Sequence, residues 1–389
     1  MLNQTKLFGL LGGLLVLAFI ANRVARRIRI PDIVILMATG LALGPFSGWI
    51  DAGRFTAFTH YLGTFALILI LFEAGTELNV RESLRHFPAG VLLAFLGYGL
   101  SFTAVSCVAL WVLALPLRQA MLLGGVFGCT SSTMVVPILQ QFEVRGPVTV
   151  ILMLEAALGD VIAVLTVGSL VDIAEGDPLI AGFLSGLLVR TSVSIVSAIA
   201  AGFAWSRIRP RFARYRFGGA LDVGNILLVY ALVRIAGGSG LLAVLAFGLT
   251  LANARGNGGG TSLEPGTVVF HSELSFLVRS FFFVLLGASV EFISPRYAVA
   301  TALILAGLVA ARALSVFATT WASRGVGRPE RELMLCLFPR GLVNAVLAIQ
   351  VAGRGSAMDF LPAMAFTVIL VTNLLVVVGA LRFHPRLTA

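Results

Sequence analysis

Between Val148 and Val171 the chain stays apolar for long enough to cross a bilayer, and inside that run sit two carboxylates, Glu155 and Asp160. A helical span needs about 20 such residues. A charge at bilayer depth costs roughly 2.5 to 3.5 kcal/mol even on the mildest insertion scale, so an acid there is first of all a functional candidate. On a helix, five positions turn the chain through about 500°, which aims the two side chains about 140° apart and separates them by about 7.5 Å along the axis. One acid can therefore pair with a neighbouring helix while the other faces a cleft. The competing reading is a buried pair that only fixes helix packing, for which two acids in one span is an expensive device.

The rest of the chain has the same character. Of its 389 residues, 58% are hydrophobic and 12% charged, and the mean hydropathy is +0.99. No soluble globular protein needs that balance. The apolar runs are long and continuous, which excludes the short alternating strands of an outer-membrane barrel. The expected class is an all-α polytopic membrane protein in a single transmembrane domain spanning residues 1–389. The net charge of +10 comes from arginine, with Lys6 the one lysine. The arginines cluster in short loops, so membrane orientation explains them better than nucleic acid does. Cys107, Cys129 and Cys336 lie in apolar segments without disulfide or metal spacing, and His60, His86, His271 and His384 are isolated. No cofactor is expected. The first apolar run lacks a small-x-small cleavage site before Arg23 and reads as a retained span.

The pattern predicts about 13 spans, near residues 5–22, 32–48, 61–78, 87–113, 119–139, 148–171, 190–206, 221–236, 240–253, 269–290, 297–321, 332–351 and 357–381. Alternate loops divide the charge unevenly. One set holds 18 basic residues, among them Arg23, Arg26, Arg27, Arg29, Arg81, Arg85, Arg145, Arg255 and Arg324, the cluster Arg207, Arg209, Arg211, Arg214 and Arg216, and the tail's Arg382 and Arg386. The other set holds 7, namely Lys6, Arg54, Arg118, Arg190, Arg234, Arg296 and Arg354, together with the acids Asp172, Glu175 and Asp177. The positive-inside rule then places the N-terminus outside and the C-terminus in the cytoplasm, which requires an odd number of spans. Trp205 and Trp321 fall at the expected interfaces.

Arg279, Arg312 and Arg340 fall within or at the edge of spans and must pair, reach an interface or line water. Glu73 is the other clear intramembrane acid. Glu77, Asp222 and Glu273 lie nearer span ends, where snorkelling is cheap. Glu273 is the candidate partner of Arg279, and Arg340 is expected to reach the cytoplasmic interface or to line a cytoplasmic funnel.

Two spans carry broken patterns. Gly128-Cys129-Thr130-Ser131-Ser132-Thr133 interrupts the fifth, and Phe338-Pro339-Arg340-Gly341-Leu342-Val343-Asn344 the twelfth. Glycine, proline and competing hydroxyls weaken a helix at such points, and unwound backbone at membrane depth survives only where it is buried or lines a cavity. The breaks, marked by Gly128 and Ser132 in one span and Gly341 and Asn344 in the other, lie about 210 residues apart in corresponding positions. Paired interruptions of this kind point to inverted repeats around a midplane site. We therefore expect two inverted six-helix repeats, about 5–171 and 221–381, joined by a linker helix at about 190–206.

With these motifs in order, the chain resembles the monovalent cation/proton antiporter superfamily, the sodium/proton exchangers and their potassium-handling relatives. Ile30-Pro31 through Gly44-Pro45 is similar to the family's second span, and Leu71-Phe72-Glu73-Ala74-Gly75 to its third. Thr130-Ser131-Ser132 stands where electroneutral exchangers have Thr-Asp-Pro, while Ser131-Ser132-Thr133 is similar to the potassium-efflux Kef-type branch. Glu155 through Asp160 matches the Glu-Ser-Leu-Leu-Asn-Asp spacing, Arg312 the arginine of the eleventh span, and Pro339-Arg340-Gly341 part of the twelfth. Ala156 and Gly159 depart from the pattern.

The resemblance implies exchange of a monovalent alkali cation, sodium or potassium, for protons by a homodimer in the plasma membrane. Its partners are then the cation, the proton and membrane lipid, with no nucleic acid. It also implies a structural ion pair between Glu155 and Arg312. An alkali cation is hard and wants oxygen ligands, for which the candidates are Asp160, Glu73, Thr130 and Ser131. Desolvation disfavours the charged form of a carboxyl group, so Asp160 can hold a proton or help hold a cation, but not both. The alternatives are a gated potassium-efflux membrane domain and a sodium-coupled organic-anion symporter of similar fold.

Overall fold

The computed structural model describes residues 4–28, 30–48, 56–77, 87–141, 144, 146–173, 178–212, 217–254, 265–290, 294–322, 327–353 and 358–387. The loop residues Arg29, Arg54, Arg81, Arg85, Arg145, Arg214, Arg216, Arg255, Arg324, Arg354, Glu175 and Asp177 lie outside them, as does His86. The principal helices are α1 (Gln4–Ile28), α2 (Asp32–Leu41, extended by a π-helical turn over Ala42–Phe46), α3 (Thr56–Glu77), α4 (Phe87–Trp111), α5 (Leu117–Phe127), α6 (Ser132–Gln141), α7 (Pro147–Val171), α8 (Leu179–Ile208), α9 (Gly218–Ile235), α10 (Gly240–Asn253), α11 (Pro265–Ala288), α12 (Pro295–Ala322), α13 (Arg328–Cys336), α14 (Leu342–Ala352) and α15 (Leu361–Leu387). Among the described residues, nine stretches are long and apolar enough to cross a membrane, and shorter apolar helices such as Asp32–Phe46, Gly240–Asn253 and Leu342–Ala352 accompany them.

The helices sort into two bundles. In the first, α3 packs on α10, α11 on α2 and α3, and α9 on α10. In the second, α4 packs on α5, α7 and α12, while α15 packs on α13 and α14. The long α8 touches α10 of the first bundle and α7 of the second. Direct meetings between the bundles are fewer, chiefly α14 on α3, α7 on α10 and α15 on α2.

Small residues permit the closest crossings, because lipid supplies no hydrophobic drive between helices and packing must do the work. Where α2 crosses α11, a Cβ on Gly287 would stand 3.1 Å from the Gly40 Cα. Where α3 crosses α10, a Cβ on Gly248 would stand 3.4 Å from the Gly75 Cα and 2.7 Å from the Phe72 carbonyl. The two crossings are reciprocal: span 2 meets span 10 as span 9 meets span 3.

Several charges differ from the sequence expectation. The partner of Arg279 is not Glu273 but Asp32, at 3.0 Å, and Asn22 donates to the same carboxylate oxygen at 3.2 Å. That group ties α1, α2 and α11 together through an acid at the head of a span, a position where hydropathy alone does not distinguish a buried charge from one in solvent. Asp222 does not snorkel; it is buried and accepts from the Trp205 indole at 2.9 Å and from the Arg209 guanidinium. The helix expected to serve as linker begins at Leu179 rather than near residue 190. Arg190, which looked like a span boundary, lies inside α8 because its charge is met by Asp172 at the end of α7.

The end of α7 is held from a second side. Arg118 donates to the carbonyls of Leu170, Val171 and Ile173 at 3.1, 3.0 and 2.8 Å. Those carbonyls have no acceptor role left within the helix, and a cation there also suits the helix dipole. The helix that carries Glu155 and Asp160 is thereby anchored at its far end.

The glycine crossing generates a test. Gly287→Val places branched carbon against the Met37 carbonyl and Gly40, so the helices must separate at a cost of about 1–3 kcal/mol or more. The expected outcome is a clear fall in melting temperature in detergent, whereas Gly224→Ala, with nothing within 4 Å of its added Cβ, leaves melting near that of the parent. Equal melting of the two variants would show that the crossing is not tightly packed.

Candidate functional site

The two broken spans meet at the centre of the second bundle. Helix α5 ends at Phe127 and α6 starts at Ser132; α13 ends at Cys336 and α14 starts at Leu342. The unwound segments bond to each other, the Ser131 N–H donating to the Pro339 carbonyl at 2.9 Å. Gly341 allows that approach, because a Cβ there would fall against the Ser131 side chain. Gly128, at the other break, lies against the Tyr98 ring. The four residues expected to mark discontinuous helices, Gly128, Ser132, Gly341 and Asn344, thus all lie at or beside the two breaks.

Asn344 satisfies both sides of the crossing. Its Oδ1 accepts from the Gly341 N–H at 2.8 Å, and its Nδ2 donates to the Val126 carbonyl at 2.7 Å and to that of Cys129 at 3.4 Å. One side chain therefore caps the start of α14 and takes up a free carbonyl at the end of α5. From α15, Thr372 accepts the Arg340 N–H at 3.2 Å and Asn373 donates to the Arg340 carbonyl at 2.7 Å. Sequence reading passed over Thr372 and Asn373, although two adjacent polar residues in the last apolar span were a usable signal.

The two acids of α7 divide as the helical geometry predicts. Glu155 points toward α12, where its Oε1 accepts from Arg312 at 2.5 Å and from the Thr130 hydroxyl at 3.1 Å. Arg312 spends its other donors on the end of α13, with Nε to the Met334 carbonyl at 2.7 Å and a terminal nitrogen to the Leu337 carbonyl at 2.5 Å. Both partners are 4% exposed. This is the expected ion pair with an added task, since the guanidinium also neutralises the negative end of a broken helix.

Asp160 turns instead to α6. It is 0% exposed, and its Oδ2 accepts from the Ser132 N–H at 3.1 Å and the Ser132 hydroxyl at 2.5 Å. Its Oδ1 is buried and has no hydrogen-bond partner among the described residues. Gly159 lies beside the break, where an added Cβ would make ordinary contact with Cys129 at 3.5 Å, so close approach does not itself require glycine there.

Arg340 does not snorkel. It is buried at 2% exposure, held at 3.3 Å from the Thr130 hydroxyl and 3.5 Å from Ser101. The Thr130 hydroxyl is consequently engaged twice, donating to Glu155 and accepting from Arg340. The Ser131 hydroxyl pairs with that of Thr133 at 2.8 Å. Glu73 lies across the bundle interface on α3, where its carboxylate accepts from Ser272 of α11 at 2.6 Å. Of the four residues expected to hold a cation, the structure sets Thr130, Ser131 and Asp160 at one crossing and Glu73 on the facing bundle, with no hydrogen bond joining Glu73 to Asp160 among the described residues.

A cavity of about 1420 Å³ runs between the bundles from the end where α7 and α14 terminate, its lining including Asp172, Arg190, Gln350, Ile68, Leu347 and Val164. Val164 lies one helical turn beyond Asp160, about 6 Å along the axis. Asp160 is not among the residues that line the cavity.

The ion pair generates a test. Glu155→Gln and Arg312→Ala each strand a buried charge, at about 3–5 kcal/mol, and Arg312→Ala should cost more because it also abandons two carbonyls. The double variant should lose less than the sum of the singles in detergent melting, because the stranded charge is then absent. Additive losses would mean that the two residues do not pair.

Comparison with known proteins agrees with this architecture. The chain is 26% identical over 358 residues to the Na(+)/H(+) antiporter 1 of Methanocaldococcus jannaschii, covering 88% of this chain and 82% of that one. It is 26% identical over 392 residues to the K(+)/H(+) antiporter NhaP2 of Shewanella oneidensis, covering 98% and 67%. In fold it matches the structure of the sodium proton antiporter MjNhaP1 from Methanocaldococcus jannaschii at pH 8, with a TM-score of 0.80 at 23% identity over 96% of this chain and 95% of that one. The transmembrane profile of the sodium/hydrogen exchangers matches residues 14–385, and the chain belongs to the sodium/hydrogen exchanger family.

Proposed function

We propose that this multi-pass membrane protein exchanges a monovalent alkali cation for protons, with Asp160 as the shared carrier. The observation that carries the reading is the Oδ1 of Asp160. It is a buried carboxylate oxygen without a hydrogen-bond partner among the described residues, placed where two spans unwind and one helical turn from Val164 of the cavity lining. A buried acceptor left unmade costs about 1–3 kcal/mol, more when charged. A proton or a hard cation relieves that cost, and each excludes the other.

The neighbouring charges support one exchanging acid. Glu155 is committed to Arg312 and Thr130, so Asp160 is the carboxylate at the crossing left to alternate between proton and cation. One proton per cation, an electroneutral exchange, follows. Relatives named for sodium and for potassium both fit an oxygen-lined site of this kind. Glu73 faces the second bundle from α3 and joins the cation's ligands when the bundles shift, leaving Ser272.

Access alternates by movement of the second bundle against the first. The sparse inter-bundle packing supports that division, because the densely packed crossings lie within each bundle. With the N-terminus outside, as the arginine distribution implies, the cavity opens to the exterior and the apolar layer at Val164, Ile68 and Leu347 is its closed gate. The reciprocal glycine crossings support two inverted repeats joined by α8. Apolar side chains exposed on α9, such as Leu228 and Leu232, suit lipid or a second copy of the chain. The mechanism calls for no resident cofactor.

Asp160→Asn should abolish cation-driven proton movement in proteoliposomes while leaving the protein folded, and comparable exchange by the variant would overturn the assignment. Proton competition has a defined sign. As pH falls below the point where Asp160 takes up its proton, apparent cation affinity should weaken by about tenfold per unit, roughly 1.4 kcal/mol, and well above that point it should level off. Calorimetry between about pH 6 and 9, in two buffers of different ionisation enthalpy, reports the protons released per cation bound. Release near one on the acidic side supports antiport; a pH-independent affinity without proton release favours a channel or symporter.

A further inference from the structure

Resting on the reading of Asp160 as carrier, we propose that Ser132 is a positioning residue that holds one carboxylate oxygen of Asp160 and thereby keeps the carrier's grip on its cation weak enough for release. The sequence marks Ser132 only as part of a helix break and assigns the cation's oxygen ligands to Thr130 and Ser131. The geometry divides the three residues differently. Thr130 is committed to Glu155 and Arg340 and Ser131 to Thr133. Of the three hydroxyls, that of Ser132 is the one that reaches Asp160.

The bonds on Oδ2 have a fixed sense. Ser132 opens α6, a ten-residue helix, and the first N–H groups of a helix have no acceptor within it. A backbone N–H can only donate, so Oδ2 is an acceptor whichever way the hydroxyl turns. With both donors on Oδ2, an incoming ion meets Asp160 at Oδ1, which is buried and has no hydrogen-bond partner among the described residues. The carboxylate is thus a one-oxygen ligand by construction.

The energetic consequence has a sign. Hydrogen bonds given to a carboxylate stabilise its free, ionised state. A cation at Oδ1 draws electron density from Oδ2 and weakens those bonds, so the donors on Oδ2 oppose occupation of Oδ1. Removing a donor makes the free carboxylate less satisfied and the occupied one comparatively better. Ser132→Ala keeps the backbone N–H and deletes the hydroxyl, so cation binding should tighten and release should slow.

The test is a split between KM and kcat, measured with sodium and with potassium in proteoliposomes at a pH on the alkaline plateau, where protons compete least. Ser132→Ala should lower KM by about threefold to tenfold, the range expected of part of one charge-assisted hydrogen bond, and lower kcat as release slows. Ser132→Thr, which keeps both donors, should restore the parent values. A merely structural defect predicts a lower kcat with KM unchanged or raised, and that result would overturn the proposal. Where the alanine variant fails to fold, Ser132→Cys keeps the size with a weaker donor and should show a smaller shift of the same sign; an unchanged KM there also overturns it. Calorimetric cation binding by the parent and by Asp160→Asn is measured alongside. Loss of binding in Asp160→Asn with unchanged affinity in Ser132→Ala sinks the role of Ser132 alone, whereas undiminished binding in Asp160→Asn sinks the carrier assignment beneath it.

Discussion

Backbone that unwinds at membrane depth must find every partner inside the protein, and the arrangement of the second bundle follows from that requirement. Two spans break at the same level, and each break frees carbonyls on one side and N–H groups on the other. Arg312 takes the carbonyls that end α13, and Asn344 joins the end of α5 to the start of α14. Ser131 and Pro339 bond across the crossing, while Thr372 and Asn373 hold the backbone of Arg340 from α15. The free N–H at the start of α6 goes to Asp160. Asp160 is therefore one of the groups that complete the broken helices.

That placement accounts for the different fates of two carboxylates on one helix. Glu155 and Asp160 share α7, the same burial and the same chemistry. The helical twist sends one to a guanidinium and the other to a helix N-terminus. A guanidinium holds a carboxylate as a fixed ion pair. The Ser132 hydroxyl and N–H both bond to Oδ2, which leaves the other carboxylate oxygen of Asp160 without a hydrogen-bond partner among the described residues, the feature on which the proposed carrier role rests. Arg340, buried beside Thr130, supplies a second positive charge, so that with both acids ionised the crossing is balanced.

The packing outside the crossing serves the same end. Glycines at the α2–α11 and α3–α10 crossings bring backbones into close contact within the first bundle, and Arg118 and the Asp172–Arg190 pair anchor the end of α7. Close packing is concentrated inside the bundles, and the interface between them is filled partly by a cavity. Asp160 lies one helical turn from Val164 of the cavity lining.

The sequence by itself determined the membrane class, the order of the spans, the two breaks, and the distinct directions of Glu155 and Asp160. These follow from hydropathy, from glycine, proline and hydroxyl content, and from the turn of a helix, all of which are local. The partner of Glu155 came from resemblance, and the structure places Arg312 there. Partners set by approach between distant segments were beyond local reading. Asp32 meets Arg279 across 247 positions of chain, Arg340 is buried where its charge was expected to reach the cytoplasmic interface or line a funnel, and Thr130 turns to Glu155 while Ser132 turns to Asp160. Thr130, Ser131 and Ser132 offer nearly the same hydroxyl to any local argument. Which of them reaches Asp160 is decided by the angle at which α6 leaves the break and the depth at which α7 passes it, and only the tertiary structure fixes both.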